Sequence, residues 1–422
     1  MLLGRRLLTS VTLALGLLVS RVASADDEPS VMREEEILGR WMHGSAEVAA
    51  WRKQVGAARF DVITARLLPN PELNIQGIKV LSGTPPDGET GVQAQLTVPL
   101  PIFGQIGGRI DAAEAQVTVA EAGLLLSTWS RAADIQVEIV ATAFAEAKLV
   151  MLNRNLQELL RIEKIVTTRA AAGASGQYDV LRIGGATANI RGAITSTTIA
   201  KSRAEARLLA LVADPTLRTV TTTPEGLTTF RGPEDENALV EHALKRRPDL
   251  EVARRSVNAA QASATRYRKD AIPTPSVYIT GYSVQKESAF QLSGGLILPL
   301  PIFDRNQGQI GRSLNEAQAQ ELVVAALTAR IRAEVAGLWR ARRDATIALK
   351  EFRERTLTNA QQLLQRAEVT YQAGTFSIAE LLDAYRTLWE ARTEELELER
   401  QRAEAEAELE RSAVLLPLPN IH

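Results

Sequence analysis

The chain has 422 residues, of which 23% are charged, a formal net charge of −1 and no cysteine. The missing cysteine excludes disulfide scaffolds, zinc-thiolate and iron–sulfur sites and thiol catalysis. The near-neutral balance argues against a nucleic-acid binder, and 5% aromatic content in so charged a chain argues against a bundle of transmembrane helices.

The first 25 residues have the pattern of a secretory signal peptide. Arg5-Arg6 precedes an apolar run over Leu7–Val19, and Ala23–Ala25 is a small-residue cleavage site. A retained signal anchor is the alternative, but the apolar run is short for a helix that spans a bilayer. We therefore expect an exported mature chain that begins at Asp26.

A first half-unit is predicted over 26–211. Before its turn it contains a helix at about 45–66, strands at about 71–81 and 90–98, and a long helix at about 106–171. In the second strand Val92, Ala94 and Leu96 alternate with polar residues, which predicts one apolar and one polar face. Gly173 ends the long helix, because glycine adopts positive φ without strain, and a return helix follows at about 177–211.

The segment 212–235 is predicted to be a linker, rich in threonine and proline, and a second half-unit follows over 236–414. This half-unit contains a helix at about 249–270, strands at about 275–284 and 289–298, a long coiled-coil-like helix at about 308–372 and a return helix at about 377–414. Gly374 marks the turn between the last two helices. The tail 415–422 is expected to be irregular.

The two half-units are copies of one unit. Leu96–Phe103 recurs as Leu296–Phe303 at an offset of 200, with six of eight residues identical. Gly173 and Gly374 are separated by a similar distance, 201 residues. A repeat of about 200 residues is too long for a solenoid, so the chain is a duplicated half-protein.

The four predicted strands have the length of tilted strands that cross a bilayer. One copy of the chain cannot span a membrane with them, because every backbone group in hydrocarbon must be paired and the sheet edges must close. Several copies would therefore contribute to one barrel. A soluble four-stranded sheet packed on helices is the alternative.

Several motifs carry a resemblance to a known family. The paired Pro-Leu-Pro-Ile-Phe blocks, the segment Arg247-Pro-Asp-Leu250 and the run Tyr371-Gln-Ala-Gly374 resemble the outer-membrane factor (TolC-like) family. The variant Phe303-Asp-Arg-Asn-Gln-Gly308 is similar to its heavy-metal branch, the cobalt–zinc–cadmium resistance outer-membrane proteins.

The resemblance implies an α+β, mainly α, homotrimer in the bacterial outer membrane. Its 12-stranded β-barrel would continue into a 12-helix periplasmic α-barrel. It would act as the passive exit duct of a tripartite efflux system, with a periplasmic adaptor and an inner-membrane proton-driven resistance-nodulation-division pump as partners. Heavy-metal cations are the substrates that the family branch favours. No lipid anchor is expected, since some relatives carry a lipidated cysteine and this chain has none.

The resemblance also places a periplasmic gate at the helical turns Gly173 and Gly374. Acidic residues six and nine positions after the second glycine would form rings of carboxylates, and here these are Glu380 and Asp383. Ordinary helix-start charges are the alternative for both. The family latches its closed gate with residues that correspond to Tyr371 and Asp179. The companion arginine of that latch is replaced by Phe376.

The sequence offers no catalytic constellation, and no enzyme activity, cofactor or metal site is expected. Motifs for serine hydrolases, P-loops, zinc proteases and dinucleotide binding are absent, and His43, His242 and His422 are isolated. We expect His43 and His242 to be solvated at helix ends. Two alternative functions stay open, a duct for drugs or other small molecules in the same family, and a non-channel periplasmic coiled-coil protein.

Overall fold

A computed structural model of the chain describes residues 31–79, 81, 90–173, 176–227, 230–284 and 289–416. The predicted signal peptide (1–25) lies outside the described residues, as do residues 82–89 and 285–288 and most of the predicted tail. Within the described ranges, the elements of the first half recur in the same order in the second.

The elements of the first half are α1 (Glu34–Gly44), α2 (Ala46–Arg66), β1 (Glu72–Lys79), β2 (Thr90–Pro99), α3 (Gln105–Ala171) and α4 (Gln177–Val212). Those of the second half are α5 (Glu236–Arg246), α6 (Pro248–Asp270), β3 (Ser276–Val284), β4 (Ala289–Ile297), α7 (Gln307–Phe352), α8 (Thr358–Gln372) and α9 (Ile378–Ala413). A 3-10 turn at Pro224–Gly226 lies in the segment between the halves.

Local chemistry sets the ends of the helices. The Ser45 hydroxyl accepts a hydrogen bond from the Glu47 N–H at the start of α2, and the Asp235 carboxylate accepts one from the Ala238 N–H at the start of α5. Pro248 occupies the first turn of α6. Backbone N–H groups there have no intrahelical acceptor, so the N–H that proline lacks costs no hydrogen bond. The chain leaves α2 toward Pro69, which cannot continue a helix.

Helices α1 and α5 were not predicted from the sequence. Each has 11 residues, which is too short for intrinsic propensity to mark a stable helix. Tertiary packing stabilises them instead. Ile37 and Trp41 of α1 are fully buried in a cluster that includes Trp129 of α3, and Leu239 of α5 is buried with Ile331 of α7.

The long helices form the scaffold of the molecule. Helix α3 has 67 residues, which at ~1.5 Å per residue gives a length of about 100 Å. Helices α2 and α4 both pack along it, so two short helices share one long partner. In the second half, the predicted long helix is interrupted by a π-helical turn at Arg353–Leu357, between α7 and α8. No helix among the described residues has the length and apolar content that a bilayer span requires.

The strands form one antiparallel sheet in the order β1-β2-β3-β4. Strand β2 pairs with β1 on one side and with β3 on the other, so that Leu96 lies between Leu73 and Ile279. Strand β4 pairs only with β3 among the described residues, which leaves β1 and β4 as the two edges. The duplication of the chain is therefore also a duplication of a β-hairpin, and the two hairpins lie side by side.

One histidine departs from expectation. His43 is exposed in the last turn of α1, as predicted for a solvated helix end. His242 is half-buried in the middle of α5, and its Nδ1 lies 2.8 Å from the carbonyl oxygen of Ala413. The prediction for His242 was wrong, because α5 was not recognised and its packing against the end of α9 places this ring inside the interface.

Glu410 is a buried carboxylate where α9 meets α3 and the linker. Its side chain is 2% exposed, and it accepts hydrogen bonds from the Gln136 side-chain amide (2.9 Å) and from the Arg231 backbone N–H (3.1 Å). Burial raises the pKa of Glu410 to about 7, and the nearby Glu34 carboxylate acts in the same direction. The folded protein therefore holds a proton on Glu410 at pH values where the unfolded chain has released it.

Replacing Glu410 by Gln is expected to stabilise the protein at pH 8 and to change little at pH 5. The wild type loses stability as pH rises from about 4.3, the ordinary pKa of glutamate, to about 7, by roughly 3–4 kcal/mol in total. The side-chain amide oxygen of Gln136 has no hydrogen-bond partner among the described residues. If the Gln136 amide flips, this oxygen can accept a hydrogen bond from the new amide N–H at position 410. Thermal unfolding followed by circular dichroism at several pH values measures this dependence.

Glu408→Gln is the matched control. Glu408 lies two residues before Glu410 in α9, and its side chain is exposed. This variant is expected to keep the pH dependence of the wild type. A Glu410→Gln protein with an unchanged pH dependence would contradict the assignment of the buried proton.

Candidate functional site

The helical turns at the far end from the sheet depend on two glycines. Gly173 has φ +75° and Gly374 has φ +80°, values in the left-handed region that favours glycine. No neighbouring atom lies within 4 Å of the position where a Cβ would be at either residue. Backbone conformation, and not side-chain space, therefore explains why glycine occupies both turns.

Glu380 lies in the first turn of α9, directly after the Gly374 turn. Its carboxylate accepts hydrogen bonds from the Ser377 N–H (2.7 Å) and hydroxyl (2.9 Å), and the Glu380 N–H donates to the Ser377 hydroxyl at 3.4 Å. This is a capping box. The hydrogen bond from the Ser377 backbone, followed by that from its hydroxyl, lowers the pKa of Glu380, so the exposed side chain is anionic at neutral pH.

Asp383 lies three residues further along α9 and is exposed. Residues three apart lie on the same side of a helix, so Glu380 and Asp383 present two carboxylates along one edge of α9 near the turn. The alternative for both residues was an ordinary helix-start charge, and Glu380 does lie in the first turn of α9, where it also caps the helix. It fixes the position of the carboxylate but leaves it accessible to solvent.

Tyr371 and Asp179 have separate partners. The Asp179 carboxylate accepts a hydrogen bond from the Gly176 N–H at 3.4 Å, at the start of α4. The Tyr371 ring lies beneath the Arg169 guanidinium, with 5.3 Å between the guanidinium carbon and the ring centroid. Within the described part of one protomer, no contact joins Tyr371 to Asp179.

The sequence did not single out four other residues near the turns. The Tyr385 hydroxyl donates to the Glu368 carboxylate at 2.5 Å, between α9 and α8. The Trp389 indole N–H donates to Glu158 of α3 at 3.3 Å. Tyr385 and Trp389 are two aromatic residues four apart in a charged helix, and this spacing is the one sequence signal that marks them.

The sheet at the opposite end of the molecule has two different faces. The strand register places apolar residues on one face, and all of the following are 41% to 70% exposed: Leu73, Ile75, Val92, Leu96, Val277, Ile279, Phe290, Leu292 and Leu296. The other face carries mainly glutamine, serine, threonine and tyrosine. On this face the Gln95 amide donates to Thr97 (3.1 Å) and accepts from Thr280 (3.3 Å). An exposed apolar sheet face of this extent indicates a surface that a membrane or a protein partner covers.

No group of three or more histidine, aspartate or glutamate side chains among the described residues is arranged to hold a metal ion.

Duplicated helical hairpins joined to a two-faced sheet define a TolC-like outer-membrane channel protein. The chain belongs to the outer membrane efflux protein family, whose model matches residues 40–214 and again 239–413. The predicted resemblance is confirmed, and the double match follows the internal duplication. The family places the chain in the outer membrane with its helices on the periplasmic side.

Similar proteins agree with this assignment. The cobalt-zinc-cadmium resistance protein CzcC of Cupriavidus metallidurans is 25% identical over 359 residues, which cover 83% of this chain and 82% of CzcC. A crystal structure of CusC has a TM-score of 0.73 at 19% identity and covers 90% of this chain and 92% of CusC. The open state of the MtrE channel of Neisseria gonorrhoeae has a TM-score of 0.73 at 17% identity and covers 90% of this chain and 88% of MtrE. The solved structures establish the fold that this chain shares.

Proposed function

We propose that three copies of this chain form the outer-membrane exit duct of a tripartite efflux system. Their sheets join into a 12-stranded β-barrel, and their helices continue it as a 12-helix periplasmic α-barrel. The duct conducts substrate passively, from an inner-membrane pump of the resistance-nodulation-division class and a periplasmic adaptor to the exterior.

The observation that carries this proposal is the exposed, two-faced sheet. Its apolar face has the composition that contacts lipid, and its polar face has the composition that lines a water-filled pore. Strands β1 and β4 each have one unpaired edge in the described protomer, and such edges are not stable in hydrocarbon. Joining β4 of one copy to β1 of the next removes every edge when the ring closes.

Heavy-metal cations are the substrates that the similarity to CzcC favours, since that relative is a cobalt-zinc-cadmium resistance protein. Loss of the gene is then expected to sensitise cells to cobalt, zinc or cadmium. Sensitivity to drugs without sensitivity to metals would assign the duct to small organic molecules instead.

Reconstitution tests the duct itself. The purified full chain is expected to run as a heat-modifiable trimer and to form ion-conducting pores in planar bilayers. Recovery of the protein in the soluble periplasm, without a trimer and without conductance, would instead support a non-channel coiled-coil protein.

The carboxylates at the turns supply the proposed gate. In a trimer, Glu380 and Asp383 would form two rings of three negative charges, which attract cations and repel anions. The gate region also includes the turns at Gly173 and Gly374 and the flanking Tyr371 and Asp179.

Replacing Glu380 and Asp383 together by Ala is expected to weaken block of the pore by multivalent cations and to reduce its cation selectivity. Reversal potentials in a salt gradient and titration of the current with a trivalent cation measure the two effects. Glu390→Ala is the control, because Glu390 is exposed on the same helix but lies further from the turn. Unchanged block in the double variant would refute the ring assignment.

A further inference from the structure

A cavity of about 360 Å³ lies beside the middle of α3, between that helix, α9 and the segment that joins the two halves. Gln136, Val140 and Phe144 line it from α3, and their spacing of four residues places them on one side of that helix. Pro224 and Leu227 of the joining segment line it from another side. The volume falls within the range of small-molecule sites, ~300–1,000 Å³.

The charged lining of this cavity is mainly acidic. Arg402 pairs with Glu406 across the helical surface at 3.0 Å, and both line the cavity. Four further glutamates line it, and among the described residues Arg402 is the single basic residue of the lining: Glu34, Glu225, Glu399 and Glu410. An acidic lining of this kind favours a positively charged ligand over a neutral or negative one.

Glu410 is the deep carboxylate of the cavity. It is 2% exposed, and both of its hydrogen bonds come from neutral donors, the Gln136 side-chain amide and the Arg231 backbone N–H. A carboxylate can accept about four hydrogen bonds, so Glu410 retains the capacity to accept from a ligand.

Gln136 supplies an independent sign that a donor belongs here. The side chain is 4% exposed and lines the cavity, and its amide nitrogen donates to Glu410 at 2.9 Å. Its amide oxygen has no hydrogen-bond partner among the described residues. Buried acceptors of this kind are normally satisfied, so a ligand with N–H donors matches both Gln136 and Glu410.

The rest of the cavity wall is apolar. Val140, Phe144 and Ala407 form one buried cluster, and Leu227 packs against it. Hydrocarbon beside carboxylates does not suit a bare metal ion, which takes oxygen ligands on all sides. It does suit a molecule that combines a cationic head with an aliphatic body, as a lysine side chain does.

We infer that this cavity binds the ammonium group of a primary aliphatic amine. Glu410 and Gln136 accept its N–H groups, Glu34 adds a second buried carboxylate, and the hydrocarbon chain lies against Val140 and Phe144. The site goes beyond the proposed duct and lies within one protomer, so it does not depend on the trimer. A bound amine links α3, α9 and the joining segment, and it therefore stabilises the fold.

Hexylamine is the probe, used with the purified full chain in detergent at pH 8 and constant ionic strength. An aliphatic amine has a pKa of about 10.4 and is charged at this pH. Calorimetric titration is expected to give one site per chain, and the thermal midpoint is expected to rise. Hexan-1-ol has the hydrocarbon without the charge, and magnesium chloride has the charge without the hydrocarbon. Equal stabilisation by either compound would overturn the inference.

Two substitutions test the site from different sides. Glu410→Gln removes the charge and is expected to weaken hexylamine binding by about 10- to 100-fold, the usual effect of losing a hydrogen bond to a charged group. Ala403→Leu fills the cavity from α9 without removing a polar group and is expected to abolish binding. Glu408→Gln, on the exposed side of α9, is the control and is expected to bind as the wild type does. Wild-type affinity in either of the first two variants would overturn the inference.

Proton competition gives a second readout. Burial raises the pKa of Glu410 to about 7, and Glu34 of α1 acts in the same direction, whereas the hydrogen bonds from Gln136 and Arg231 and the charge of Arg231 oppose it. An ammonium group displaces the proton of Glu410 below pH 7, so affinity is expected to fall by up to about tenfold per pH unit there.

Titrations at pH 6 in buffers of different ionisation enthalpy are expected to show the release of nearly one proton. The same affinity at pH 5.5 and pH 8, without proton release, would contradict Glu410 as a ligand. A trimer that conducts but does not bind hexylamine would overturn this inference and leave the proposed duct intact.

Discussion

Arg247→Ala is expected to destabilise the protein strongly, because it removes the guanidinium of a buried ion-pair cluster. Arg247 is 5% exposed, and its guanidinium makes two hydrogen bonds to Asp249, at 2.8 and 3.0 Å. It also lies 3.2 Å from the Glu334 carboxylate and 4.9 Å from the centroid of the Trp129 ring. These contacts join the start of α6 to α7 and α3. A hydrogen bond to the Ser412 carbonyl adds the end of α9.

Removal of one partner from a buried ion pair costs about 3–5 kcal/mol, because the other partner is left desolvated and unpaired. The side chains of Asp249 and Glu334 are 20% and 30% exposed, so the lower end of that range, about 3 kcal/mol, applies here. Urea unfolding followed by circular dichroism is expected to show the loss as a lower midpoint. Glu334→Gln, which removes only one of the pairs, is expected to cost less.

Arg246→Ala is the control for this prediction. Arg246 is the adjacent residue, has the same side chain and is exposed at the end of α5. Its loss is expected to change stability by no more than about 0.5 kcal/mol, as for most surface substitutions. Equal midpoints for the two variants would show that the buried cluster does not stabilise the fold.

The position of Arg247 also shows what the sequence could and could not predict. The segment Arg247-Pro-Asp-Leu250 was recognised as a family marker, but its role depends on residues at 129, 334 and 412 that are distant in the chain. Long-range contacts of this kind have no local pattern. The pairing of Arg169 with Tyr371 escaped prediction for the same reason, since about 200 residues separate the two.

Elements with a strong local signal were predicted closely. The sequence predicts a helix at about 106–171, and α3 runs from Gln105 to Ala171. Strand β2 was expected over about 90–98 and ends at Pro99. Prolines and glycines mark these ends, and the periodicity between them is long enough to distinguish helix from strand.

Elements without such marks were missed. The π-helical turn contains Arg353, Glu354, Arg355, Thr356 and Leu357, with no glycine or proline to signal it. Arg353 of this turn pairs with two glutamates of α9, which are more than 40 residues away in the chain and leave no local pattern. The candidate gate shows the same division. The sequence marks its glycine turns and the carboxylates that follow the second turn, whereas the contact between Arg169 and Tyr371 required the structure.

The largest effect on the assembled duct is expected from a charge on the apolar face of the sheet. Leu292 lies near the middle of β4, is 67% exposed and belongs to the apolar face. An arginine near the midplane of a bilayer costs a membrane β-barrel about 2–4 kcal/mol, so three copies in one trimer lose about 6–12 kcal/mol. Leu292→Arg is therefore expected to abolish the heat-modifiable trimer in outer-membrane fractions and the conductance in planar bilayers.

Ser293→Arg is the matched control, because the next residue of the same strand is also exposed and lies on the polar face. It adds the same charge and the same bulk at nearly the same depth. This variant is expected to assemble, since a pore lined by water solvates the guanidinium, and to conduct cations less well than the wild type. Assembly of Leu292→Arg with failure of Ser293→Arg would reverse the assignment of the two faces. Equal assembly of both variants would show that neither face meets lipid, and the exposed apolar surface would then require a protein partner to cover it.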